Sequence, residues 1–147
     1  MNSIRIRVAG ILLQDQKILL VRHEKNGKSY FLLPGGGIEY GETASEALIR
    51  EFNEEVGLTI EVGKLVFVQD SIPPNRHRHV LNLYFLVKTS NFNITVTQDK
   101  ILKGAGYYPF DNLSTLTVNP DIKAEILEGI RNHWSGDCQY LGNRWKE

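Results

Sequence analysis

Glu51, Glu54 and Glu55 stand at i, i+3 and i+4 in the run Arg50-Glu51-Phe52-Asn53-Glu54-Glu55. On a helix turning about 100° per residue they fall within an arc of roughly 100° on one face. Like charges at these spacings destabilise a helix. Taken alone, three such acids fit a solvated charged face. The chemistry that makes use of their crowding is cation binding, and an oxygen-only set with several carboxylates suits Mg²⁺ or Mn²⁺.

The residues before and after the acids say how they are positioned. Pro34 leads into Gly35, Gly36 and Gly37, a run that turns the chain and lets a ligand approach the backbone closely. Thr43 and Glu46 have the spacing of a capping box, and Gly57 stands where a glycine ends a helix. These signals predict a loop followed by a helix over 44–56. Leu48, Ile49, Phe52 and Val56 give that helix an apolar side next to its acidic one. Glu42 and Arg50 are an opposite-charge pair able to brace the loop against the helix.

Gly36, five residues, Glu42, seven residues, then Arg50-Glu51-Phe52-Asn53-Glu54-Glu55-Val56-Gly57-Leu58 match the Nudix box, G-x5-E-x7-R-E-U-x-E-E-x-G-U, at every fixed position. The chain therefore resembles the Nudix (MutT-like) hydrolases. Phe52 departs mildly, since an aliphatic residue is usual there. The box covers about a sixth of the chain, and the strand pattern on both sides extends the likeness loosely.

The resemblance implies a Mg²⁺-dependent pyrophosphohydrolase, with Mn²⁺ as the other candidate metal. It would cleave the diphosphate of a nucleoside diphosphate linked to a group X, water attacking phosphorus. Glu51 and Glu55 would be the principal metal ligands, and the Gly35 carbonyl would complete the shell. Glu54 would be a further ligand or the base, and Arg50, Glu51 and Glu54 form the catalytic set. Some family members add an acid from a late loop, for which Asp99 and Asp111 are the candidates. A nucleoside triphosphate substrate, as in MutT-like enzymes, and a non-catalytic nucleotide-sensing module are the alternatives. Sensors usually lose box acids, and none is lost here. A related isomerase of isopentenyl diphosphate would need a catalytic cysteine, whereas Cys138 lies far from the box.

Specificity must lie outside the box. Arg76-His77-Arg78-His79 is the densest cationic stretch, and Arg76, Arg78 and His79 are candidates for binding phosphate or a terminal group. Tyr30, with Phe31 and Tyr40, could stack on a base. Family members acting on ADP-ribose tend to carry a proline about fifteen residues beyond the box, where Pro73 and Pro74 fall. ADP-ribose or an NDP-sugar is accordingly the favoured class.

Lys+Arg and Asp+Glu both number 17, so no overall field draws nucleic acid or a membrane surface. The expected partner is a small nucleotide, and a homodimer stays open. One cysteine permits no intrachain disulfide, and with no apolar leader or long apolar run the expectation is a cytoplasmic protein. At 147 residues the reading is one Nudix domain over 1–147, an α/β/α sandwich with a mixed sheet. Strands are expected over 4–13, 17–22, 30–33, 59–69 and 79–88, and more weakly over 94–97. Residues 23–29 and 99–106 read as loops. A second helix is expected from Pro120. The tail from Ser135 carries no firm signal.

Overall fold

The computed structural model describes residues 2–97 and 101–145. Its strands are β1 (Ile4–Ile11), β2 (Leu13–Gln14), β3 (Lys17–Lys25), β4 (Lys28–Leu32), β5 (Gly35–Gly37), β6 (Glu61–Ser71), β7 (His79–Lys88), β8 (Leu102–Pro109) and β9 (Gln139–Asn143). Its helices are α1 (Ala44–Val56) and α2 (Lys123–Arg131). One sheet runs β5-β1-β7-β6-β9. It is mixed, since β1 is parallel to β7 and antiparallel to β5. The second sheet is built on β3, which pairs antiparallel with β2, β4 and β8.

Strand alternation sends successive side chains into two cores. Val8 of β1 and Leu19 and Val21 of β3 join Ala47, Leu48, Phe52 and Val56 of α1. Ala9 and Ile11 of β1 and Ile18 and Leu20 of β3 join Ile122 and Ile126 at the start of α2. Both faces of these strands are therefore covered, which is why their sequences are almost continuously apolar. The arrangement is the expected α/β/α sandwich.

The capping box of α1 forms in full. Thr43 Oγ1 accepts from the Glu46 N–H at 3.1 Å, and Glu46 Oε1 accepts from the Thr43 N–H at 2.9 Å. Gly57 closes the helix at φ 70°, donating its N–H to Asn53. The Phe52 ring is fully buried and lies on Gly10, where an added Cβ would stand 2.5 Å from the ring. That contact holds α1 close against β1.

Four expectations about these elements are corrected. Residues 23–29 are not a loop: β3 and β4 form a hairpin across Asn26-Gly27, both at positive φ, as a two-residue turn requires. Residues 102–106 are strand β8, because Gly104 and Gly106 pair with β3 through backbone groups that need no side chain. Residues 94–97 are not a strand. The Thr95 N–H instead donates to the Val56 carbonyl at the end of α1. The second helix starts at Lys123 and not at Pro120, which follows a cis peptide bond; Asp121 Oδ1 accepts the Lys123 N–H. The tail, for which the sequence carried no firm signal, contributes β9, parallel to β6. Asp99 lies outside the described residues, and Asp111 is exposed in a 3-10 turn after β8.

Replacing Phe52 by Ala removes the ring that seats α1. The unfolding free energy measured in urea is expected to fall by about 3–5 kcal/mol with little change in m.

Candidate active site

Arg50 is the centre of the cluster. Its Nε and Nη2 donate to the two Glu42 oxygens at 2.8 and 2.9 Å, a bidentate pairing. Nη1 donates to Glu51 at 2.8 Å and to Glu54 at 3.3 Å. Nη2 also reaches the Gly37 carbonyl at 3.0 Å. Glu42 in turn accepts the Glu39 N–H at 2.9 Å. The loop over 37–42 is thus fastened to α1 through one guanidinium. These bonds hold Arg50 protonated, its pKa raised by Glu42 and Glu51. The Arg50 hydrogen bonds, followed by the Glu39 N–H, pull the Glu42 carboxyl down from 4.5 to about 2.

The glycine run does not turn the chain as expected: it is an extended strand, β5, paired with β1 on the edge of the mixed sheet, and none of its glycines has positive φ. A Cβ on Gly35 would stand 1.9 Å from the Val8 carbonyl oxygen, so no side chain fits there. A Cβ on Gly36 would lie 2.3–2.5 Å from the Glu51 carboxylate atoms. The Gly35 N–H donates to Glu55 Oε1 at 3.2 Å. Glu51 and Glu55 therefore meet the same bare strand. Glu51 is 18% exposed, whereas Glu54 is 60% exposed. The last turn of α1 contains no basic residue, so its acids also face the negative end of the helix dipole.

On the other side of β5, a Cβ on Gly37 would lie 3.0 Å from Arg5 Nε. Arg5 belongs to a cavity of about 420 Å³. Tyr30 and Arg78, both expected to bind substrate, line it. The basic segment is divided by the fold. Arg76 borders a separate groove with Pro73 and Pro74. His79 Nε2 lies 2.6 Å from Asp70, whose other oxygen accepts the Tyr140 hydroxyl, and Asp70 is held below its usual range by those two contacts. Gly35, Arg50, Glu51, Glu54 and Glu55 lie in one cluster of contacts. Arg5 and Arg7, which alternate with Ile4 and Ile6 along β1, both line the cavity. Lys25, Arg144 and Trp145 also line it, and the sequence reading missed them. Lys25 read as a loop residue, and the other two belong to the tail.

Residues 4–129 match the NUDIX domain family model. The chain belongs to the Nudix (MutT-like) hydrolase family. It is 36% identical over 112 residues to an ADP-ribose pyrophosphatase of Methanocaldococcus jannaschii, the match covering 76% of this chain and 65% of the relative. It is 27% identical over 115 residues to the NAD-capped RNA hydrolase NudC of Shigella dysenteriae, covering 78% of this chain and 43% of that one. The chain thus spans less than two thirds of the length of either relative. A Nudix hydrolase structure from Nitrosomonas europaea superposes with a TM-score of 0.77 at 20% identity, covering 92% of this chain and 93% of that one, and shares the fold.

Nudix enzymes generally use divalent metal ions. The donors gathered at β5 are all oxygen, and Gly36 leaves space that the Glu51 carboxylate fills, a set that suits a hard cation. Among the described residues no three acids, histidines or cysteines form a closed cage. Arg50 holds Glu51 and Glu54 directly.

The depressed Glu42 pKa has a defined consequence. Its stabilising effect is present above the ordinary value of 4.5 and is lost as pH falls through about 2. Glu42→Gln is expected to melt lower than wild type at neutral pH. Its melting temperature should also fall less steeply below pH 4.5, as followed by circular dichroism.

Proposed function

We propose that this chain, read as one Nudix domain, is a cytoplasmic Mg²⁺-dependent pyrophosphohydrolase. Its substrate is a nucleoside diphosphate linked to a second group, with ADP-ribose or an NDP-sugar the preferred class. The observation that carries this reading is the meeting of Glu51 and Glu55 on a strand without side chains, with Arg50 holding Glu51 from behind. Acids that were merely solvated would have no reason to converge on a backbone left bare.

A diphosphate is anionic, and its hydrolysis spreads charge over the phosphoryl oxygens. When bound, a divalent cation neutralises that charge and lowers the pKa of coordinated water. Glu51, Glu55 and the Gly35 carbonyl are the groups that would hold it. Arg50 fixes the Glu51 carboxylate through the 2.8 Å bond. Glu54 is the most exposed of the three helix acids and accepts a 3.3 Å bond from Arg50; in this reading it takes the proton of the attacking water. Support for the substrate class comes from the name of the Methanocaldococcus jannaschii relative. It comes also from Pro73, fifteen residues past Leu58.

Product chromatography tests the class. A sugar-linked substrate yields a nucleoside monophosphate and a sugar phosphate, whereas a triphosphate yields a monophosphate and pyrophosphate. A kcat/KM for nucleoside triphosphates above that for every sugar-linked substrate would overturn the preference. Glu55→Gln is expected to lose orders of magnitude in turnover at saturating Mg²⁺ while keeping its fold. In wild type Mg²⁺ should raise the melting temperature, and Glu51→Gln/Glu55→Gln should abolish that response.

A further inference from the structure

The cavity behind β5 has a charge balance unlike that of the whole chain. Arg5, Arg7, Lys25 and Arg78 line it, and none has an ion pair among the described residues. Among the described residues no acidic side chain lines it. A fifth cation, Arg144, is already matched by Glu125 through bonds of 3.2 and 3.1 Å. The contrast matters, because the fold neutralises Arg144 and leaves the other four unpaired.

The strand registers explain how these groups meet. Arg5 and Arg7 project from one face of β1, and their backbone partners on β7 are Val80 and Asn82, which line the same cavity. Tyr30 and Leu32 add the face of β4. Arg78 lies over the Trp145 ring, 5.1 Å from its centroid, so a planar wall holds one of the cations. Unpaired like charges around one cavity repel, and an anionic ligand relieves that repulsion.

A diphosphate joining a nucleoside to a neutral sugar carries one negative charge on each phosphate. Glu51 and Glu55 balance the charge of a divalent cation held between them, so the substrate's two negative charges are left to the cations of the cavity. Four cations line that cavity, which Arg5 joins to β5 at Gly37, and they exceed the two charges of such a substrate. We propose that the substrate carries an additional anionic group, a phosphate or carboxylate beyond the scissile diphosphate, and that Arg5, Arg7, Lys25 and Arg78 select for it. This rests on the pyrophosphohydrolase reading and narrows its substrate class.

The test compares matched ligands that differ by one anion: ADP-ribose with its ribose phosphate ester, UDP-glucose with UDP-glucuronate, and ADP with ATP. Binding is measured by calorimetry with divalent metal chelated, and kcat/KM separately with Mg²⁺. In wild type the more anionic member of at least one pair should bind at least about tenfold tighter, the scale of one charge-assisted contact. The responding pair identifies the source, a sugar phosphate, a sugar carboxylate or a terminal phosphate. In Arg5→Gln/Arg78→Gln, and separately in Lys25→Gln, that ratio should fall toward one. Ratios near one for every pair in wild type, or ratios that survive in the double variant, would overturn the inference. Hydrolysis of the less anionic members with ratios near one would leave the pyrophosphohydrolase reading intact. Preferential binding of anionic members without hydrolysis of any ligand would support this inference and sink that reading.

Discussion

One guanidinium surrounded by carboxylates sets the terms for this structure. Arg50 contacts Glu42, Glu51 and Glu54 and lies 4.0 Å from Glu39. Without it, acids crowded at the C-terminal end of α1 would oppose one another and the helix dipole together. Exposed ion pairs contribute little individually, but here one partly buried cation organises several. It also fixes geometry, since its bonds to Glu42 and the Gly37 carbonyl join helix and loop.

Packing and charge depend on each other at this point. The Phe52 ring can rest on β1 only because residue 10 has no side chain. Glu51 can reach β5 only because residue 36 has none. Two glycines on neighbouring strands thus decide how near α1 comes and where its carboxylates end. The capping box and Gly57 fix which residues occupy the helix, and so which acids face that strand.

The clustering of the candidate site residues was legible in the sequence because its parts are local. The glycines, capping box and acids lie within one loop and one helix, where spacing determines facing. The α/β/α layering was legible from continuous apolar strands. Other features depend on distant partners. β8 reads as a loop because its glycines carry no pattern, and it becomes a strand by pairing with β3. Asn26-Gly27 was a turn signal within a stretch too polar to look like a hairpin. The cavity draws Arg78, Lys25 and Trp145 from separate parts of the chain, and no spacing could join them. His79 lies next to Arg78 in sequence, yet Asp70 takes it out of the cationic group.

The position of β5 at the edge of its sheet has a consequence for association between molecules. An edge strand offers unpaired backbone groups to any extended peptide, the usual starting point for aggregation. This edge is three residues long and consists of glycine alone. Too short to hold a second chain in register, it offers an incoming strand no side chains to interlock with. An edge open enough for a small ligand is thereby a poor template for another protein.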